Sequence, residues 1–201
     1  MSNDLSRRSV LALIPGSAAL ALMPRAAAAL TTDSARALIG EVVGEINRII
    51  SSGASESAMI AKFEGVFSRY ADVPTISRSV LGVAARQASS AQLAAFSDAF
   101  RGYMARKYGK RFREFIGGRI EVESAQKIKS FYEVVSTAHL KGEAPFDVRW
   151  HVSDKSGRDL FFNIIIEGVN LLTSERAEVG AMLDKRRGDI NAMIADLKKA
   201  G

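Results

Sequence analysis

Catalysis needs a poised acid, base or nucleophile, and the side chains that could serve are few here. The 201 residues contain two histidines, His139 and His151, and no cysteine. Without cysteine there is no thiolate nucleophile, no thiolate metal site and no disulfide, so the fold must hold by packing alone. The chain has no Gly-x-Ser-x-Gly elbow, no His-Glu-x-x-His, no phosphate-binding glycine loop and no dinucleotide fingerprint. Glu121 and Glu123 share a strand face, and paired carboxylates are the machinery of glycoside hydrolysis. Surface charges alternate in the same way, however, and nothing in the chain indicates a carbohydrate cleft. Asp154 with Asp159, and Asp184 with Asp189, lack the dense oxygen-ligand spacing of a calcium loop. His151 falls on the wet side of its strand and reads as a structural or solvent-facing group, since no partner motif accompanies it. The sequence therefore predicts no enzyme, no metal site and no cofactor.

The chemistry the chain does offer is positive charge. Lys and Arg number 28 against 22 Asp and Glu, a net charge of +6, which suits an anionic partner. Six of these cations, Arg101, Arg106, Lys107, Lys110, Arg111 and Arg113, fall on one stretch beside Tyr103, Tyr108 and Phe112. Two readings stand side by side: a solvated helix face, or a docking patch for anionic lipid headgroups or an acidic protein. Stacking on nucleic acid would suit the same residue types, but only in a compartment that contains nucleic acid.

The N-terminus speaks to the compartment. Ser6-Arg7-Arg8-Ser9-Val10-Leu11 resembles a twin-arginine export signal, with Val10 where Phe is commoner and Ala12 where Lys is common. The apolar run from Val10 to Met23 is interrupted by Pro15, Gly16 and Ser17 and falls short of the ~20 residues of a membrane span. Ala26-Ala27-Ala28-Ala29 offers an Ala-x-Ala cleavage site, so residues 1–28 are expected to be a removed signal and 29–201 a single domain. Losing Arg7, Arg8, Arg25 and Asp4 leaves 25 basic and 21 acidic residues, a net charge of +4. An exported protein meets no chromosome, so anionic headgroups or acidic envelope proteins are the expected partners and nucleic acid is not.

These groups must be held by a scaffold, and the hydrophobic spacing outlines one. With 47% hydrophobic and 25% charged residues the chain can bury a core. A 3.6-residue period predicts helices over 31–50 and 56–70, a short one from Pro74 to Leu81 closed by Gly82, and the longest over 90–115. Ser89 and Gln92 form a capping box for the last of these. The period then switches to two, with strands expected near 119–128, 131–141, 146–153 and 159–171. The fourth, Leu160-Phe161-Phe162-Asn163-Ile164-Ile165-Ile166, is apolar on both sides and is expected centrally. Helix returns over 174–199, broken at Gly188. The class is α+β: amphipathic helices packed on one face of an antiparallel meander of about four strands, closed by a C-terminal helix.

Several segments, in order, resemble one family. Phe67-Ser68-Arg69-Tyr70-Ala71-Asp72-Val73-Pro74-Thr75-Ile76-Ser77-Arg78-Ser79-Val80-Leu81-Gly82 is similar to the MlaC family's stretch around Asp-Val, Ile, Ala-Arg and Val-Leu-Gly, with Ser77 replacing the commoner Ala. Gln92, Phe96, Phe100 and Tyr108 resemble its Gln-x-x-x-Phe-x-x-x-Phe helix leading to a Tyr. Glu167-Gly168-Val169-Asn170-Leu171 with Arg176 resembles its Glu-Gly-Val-Ser-Leu segment and following Arg, with Asn170 for Ser and Phe161-Phe162-Asn163 where Val-x-Asp is frequent. The resemblance implies an apolar cavity between helices and sheet that holds phospholipid acyl chains. It also implies a soluble periplasmic carrier serving an inner-membrane lipid ABC transporter complex and an outer-membrane lipoprotein complex, with transient contact with the membrane surface. The candidate lining is Phe63, Phe67, Phe96, Phe100, Tyr103 and Met104 from helices, with Val135, Val148, Trp150, Ile164 and Ile166 from the sheet. Glu167 and Arg176 are a candidate ion pair. A hopanoid or other apolar ligand, or an envelope interaction protein using its basic face, are the other readings.

Overall fold

Each helix begins where a side chain can take up its free N–H groups. The structure, a computed structural model, describes residues 29–110 and 114–201. The expected export signal over residues 1–28, and Arg111, Phe112 and Arg113, lie outside the described residues. Helix α1 (Thr32–Ile50) is capped by Thr31 and Ser34 in reciprocal hydrogen bonds, and α2 (Glu56–Tyr70) by Ser55. Helix α3 (Val73–Leu81) takes Asp72 as cap with Pro74 in its first turn, and ends at Gly82 with φ +62. A short 3₁₀ turn (Gly82–Arg86) leads to α4 (Ser90–Gly109), which opens on the Ser89–Gln92 capping box.

The sheet is an antiparallel meander, β1 (Arg119–Ile128), β2 (Phe131–His139), β3 (Phe146–Ser153), β4 (Leu160–Ile166) and the two-residue β5 (Val169–Asn170), in that spatial order. Helices α5 (Leu171–Lys185) and α6 (Ile190–Leu197) follow, parted by Arg187 and Gly188, both with positive φ. This is the expected α+β class with helices on one sheet face. Among the described residues no helix is long and apolar enough to cross a membrane.

The fourth strand is not central. Only β3 flanks β4 along its length, while its other edge meets β5 and the segment before α3, where Ala71 bridges Phe161 and Asp72 N–H donates to Phe161 O at 2.8 Å. Its two apolar sides have a different cause. A bulge opposite His151 and Val152 makes Phe162 an extra residue, so Phe161 joins Trp150 on the inner face while Phe162 meets Phe131 and His151 on the outer. The turn into β5 places both Glu167 and Gly168 at positive φ, which fits a tight primed hairpin turn.

Helix α1 lies on β1 and β2, and Asn47 fixes it there: its Nδ2 donates to Ile120 O at 2.9 Å and its Oδ1 accepts from Ile120 N at 3.0 Å. Helices α2 and α4 pack on each other, and α3, α5 and α6 close the far side of α4. Gly118, just before β1, lets two backbones meet, since a Cβ there would lie 2.4 Å from His139 O and 3.1 Å from Phe115 O. Gly118→Ala is therefore expected to lower stability by about 1–3 kcal/mol, read as a shift of the urea midpoint at unchanged slope.

Candidate functional site

The sheet's inner face over β3 and β4 is where the layers part. Helix α1 covers β1 and β2, while α2 and α4, bound mainly to each other, stand off the strands. Between them lies a cavity of about 820 Å³ counting its mouth. Its floor is Phe146, Val148 and Trp150 of β3 with Phe161, Ile164 and Ile166 of β4. Its roof is Phe63, Val66 and Phe67 of α2 with Met104, Ala105 and Tyr108 of α4. Two residues of these walls carry a hydrogen-bonding side-chain group, Trp150 and Tyr108, and the Tyr108 hydroxyl donates to Glu175 Oε1 at 2.6 Å.

Trp150 is held at the centre by a small buried relay. Its Nε1–H donates to Ser136 Oγ at 2.9 Å, and the Ser136 hydroxyl donates to Val148 O at 3.0 Å, so both indole and hydroxyl are satisfied in a dry wall. Phe161 meets Trp150 edge-on at 5.5 Å and Phe67 at 6.1 Å, which gives the floor a fixed aromatic seam.

The structure brings together seven of the eleven expected lining residues: Phe63, Phe67, Met104, Val148, Trp150, Ile164 and Ile166. Phe96, Phe100 and Tyr103 are not among the walls of this cavity: they are at most 1% exposed and follow one another ring to ring along α4, with Phe100 lining an adjoining side pocket. Helix α4 is buried on two sides, and successive residues turn about 100° around it, so Tyr103 and Met104 face different layers. Val135 is also misplaced. It pairs in register with Arg149 on the outer sheet face, while Val134 and Ala138 point inward, fully buried. Phe161 was missed because its inward turn depends on the bulge, which alternation alone does not reveal. Phe115 and Phe146, edge to face at 6.4 Å, and Ala105 and Tyr108 of α4 also belong to the walls.

The basic residues of α4 are tied to the fold itself. Arg106 donates from Nε to Ala200 O and from Nη2 to Leu197 O, both at 2.9 Å, and so closes α6 onto α4. Lys110 Nζ reaches Gly201 O at 2.8 Å, and Arg101 pairs with Glu64 at 3.3 Å and Asp98 at 3.4 Å. Lys107 bonds Glu175 at 2.8 Å, and also Glu178 and the Tyr103 hydroxyl. Burial works against the Lys107 charge, but the bonds to Glu175 and Glu178 outweigh it and lift its pKa above the usual lysine range. Glu178, despite desolvation, is held below the usual carboxylate range by Lys107 and Tyr103. Tyr103 is pushed well up by burial and by Glu178. Arg101, Arg106, Lys107 and Lys110, for which the sequence offered either a solvated face or a docking patch, are thus each engaged with carboxylates or carbonyls of the chain itself.

Glu167 and Arg176 do not form an ion pair among the described residues: Glu167 sits exposed in the β4–β5 turn, and the Arg176 guanidinium packs over Gly82. Glu175, one residue before Arg176, is buried instead. Glu121 is engaged by Arg119 at 2.8 Å and His139 at 3.2 Å, and Arg119 draws its pKa down. His151 is packed rather than wet, stacked on Phe131 at 4.5 Å with Asn163 and Glu133 each at 3.4 Å. Among the described residues no group of three His, Cys, Asp or Glu could hold a metal ion.

The architecture has a solved counterpart. The phospholipid-binding protein from Ralstonia solanacearum, determined in complex with a phospholipid, superposes with a TM-score of 0.70 at 17% identity, over 82% of this chain and 95% of that one. The family model described as MlaC protein matches residues 40–199, the whole span from α1 through the apolar cavity to α6. By that match, the chain belongs to the MlaC family.

Proposed function

We propose that this protein is an exported lipid carrier that shelters acyl chains in the cavity between α2, α4 and the sheet and catalyses no reaction. The observation that carries the reading is the cavity itself, a concave space between helices and sheet with almost wholly apolar walls. Exposing the two acyl chains of a phospholipid to water would cost on the order of 20 kcal/mol at about 0.8 kcal/mol per CH₂. Exchange between a bilayer and an apolar cavity is nearly neutral instead, so a docked partner can bias uptake or release with modest differential affinity.

Family membership and the phospholipid held by the Ralstonia solanacearum protein support a phospholipid as ligand. On this reading residues 29–201 are one lipid-binding domain, and residues 1–28 a removable twin-arginine signal that leads to the periplasm. There the carrier would shuttle between an inner-membrane lipid ABC transporter complex and an outer-membrane lipoprotein complex. Phe63, Phe67, Met104, Val148, Trp150, Ile164 and Ile166 are its lipid-contacting residues. Arg106 and Lys107 are engaged inside the fold and are not offered as docking groups.

Native mass spectrometry of protein purified from a bacterial envelope fraction, followed by lipid extraction, tests this directly. One phospholipid per chain is the expected result. An empty protein that also takes no lipid from phospholipid vesicles would overturn it.

A further inference from the structure

The polar network between α4 and α5 leaves one atom over. Glu175 is 1% exposed, and its Oε1 accepts from both Lys107 Nζ and Tyr108 OH. Its Oε2 is buried and has no hydrogen-bond partner among the described residues. A carboxylate oxygen removed from water without a donor is costly, so native structures rarely leave one vacant without a use for it.

Glu175 is the one ionisable residue lining a side pocket of about 310 Å³, counting its opening, whose other walls include Val80, Phe100 and Leu172. The other polar side chain there, Asn163, is engaged: its Oδ1 accepts from Ile164 N and Leu172 N, and its Nδ2 meets His151 Nδ1. The side pocket and the main cavity share Phe67, Met104, Phe161, Ile164 and Leu171 as walls, so the two spaces adjoin. A second vacant polar atom, Ser77 Oγ, sits 1% exposed on α3, the helix packed against α5. Two carboxylates, Glu175 and Glu178, face one ammonium, Lys107, so this network carries one surplus negative charge.

We infer that this side pocket is a ligand subsite that takes a hydrogen-bond donor carried on an apolar chain, a primary amine before a hydroxyl, at Glu175 Oε2. The inference rests on the carrier reading and narrows its ligand class. Walls of Phe, Val and Leu accept hydrocarbon, while an ester or ether oxygen would set lone pair against lone pair at the closed end. The surplus charge ranks a protonated amine above a neutral hydroxyl.

The test is displacement of a pyrene-labelled phospholipid from the purified protein by hexadecylamine and by methyl palmitate, chains of equal length with opposite hydrogen-bonding character. The amine is expected to compete at least tenfold better, the usual gain of a charge-assisted bond over none. In Glu175→Gln one amide oxygen still accepts from Lys107 and Tyr108 while the NH₂ faces the pocket, so the preference should vanish or reverse. Equal competition in the wild-type protein would mean that the pocket holds water or nothing, and would overturn the inference while leaving the carrier reading intact; so would a preference that survives in Glu175→Gln. No binding of the labelled phospholipid at all would instead remove the carrier reading. The wild-type comparison needs no variant, so it decides even if Glu175→Gln fails to fold.

Discussion

A protein carrying both Met104→Glu and Ile164→Glu is expected to purify without lipid and to keep its circular dichroism spectrum. Both side chains line the cavity, one from α4 and one from β4, and both are only half-buried. Two like charges there can be solvated by water entering the mouth while the cavity is vacant. A hydrocarbon chain would have to expel that water, at a cost of several kcal/mol for each ion left unpaired. Uptake from vesicles should therefore fall by at least about a hundredfold. The same substitution in a packed core would unfold the protein instead. Phe96→Glu supplies that contrast, since Phe96 is fully buried, lines neither the cavity nor its side pocket, and is expected to give no folded protein. If the double variant retains its phospholipid, the cavity is not the binding site.

The contrast between Met104 and Phe96 also shows what was legible in the sequence. Periodicity located every long element, and the Ser89–Gln92 capping box marked the start of α4, because these signals are local. The β3 stripe of Phe146, Val148, Trp150 and Val152 sorts into inner and outer faces by alternation alone, and three of its four residues floor the cavity. Helix α4 defeats the same logic. Phe96, Phe100, Tyr103, Met104 and Tyr108 read as one aromatic stripe, but they serve two layers, and a helix buried on both sides carries no mark of which apolar residue faces a void.

The outer rules failed where structure depends on distant partners. Val135 was placed inward because β2 carries apolar residues in sequence, Val134 and Val135, and only the pairing of Val134 with Trp150 decides between them. Lys107 and Arg106 looked like a free basic face because their partners, Glu175 and the carbonyls of Leu197 and Ala200, lie at least 68 residues along the chain. Glu175 itself carried no sequence signal, standing one residue from the Arg176 that drew attention.

That network yields the last large effect. Lys107→Met should cost about 3–5 kcal/mol, because it strips the ammonium from a carboxylate that is 1% exposed and cannot turn to water. The hydrogen bond from Tyr108 alone cannot hold that charge. Adding Glu175→Leu should restore much of the loss, since an apolar side chain in that position leaves nothing to solvate. The pH dependence follows from the two shifted groups. Lys107 is raised in the folded state, so its contribution is whole below the ordinary lysine value of about 10.4 and fades as pH climbs through the folded value. Glu178 is depressed, so its contribution is whole above about 4.3 and fades as pH falls through the folded value. Urea midpoints measured across pH should thus show a plateau between those limits in the wild-type protein, with both shoulders weakened in Lys107→Met. Unchanged shoulders in that variant would mean that the ion pair across α4 and α5 does not govern the stability of this half of the molecule.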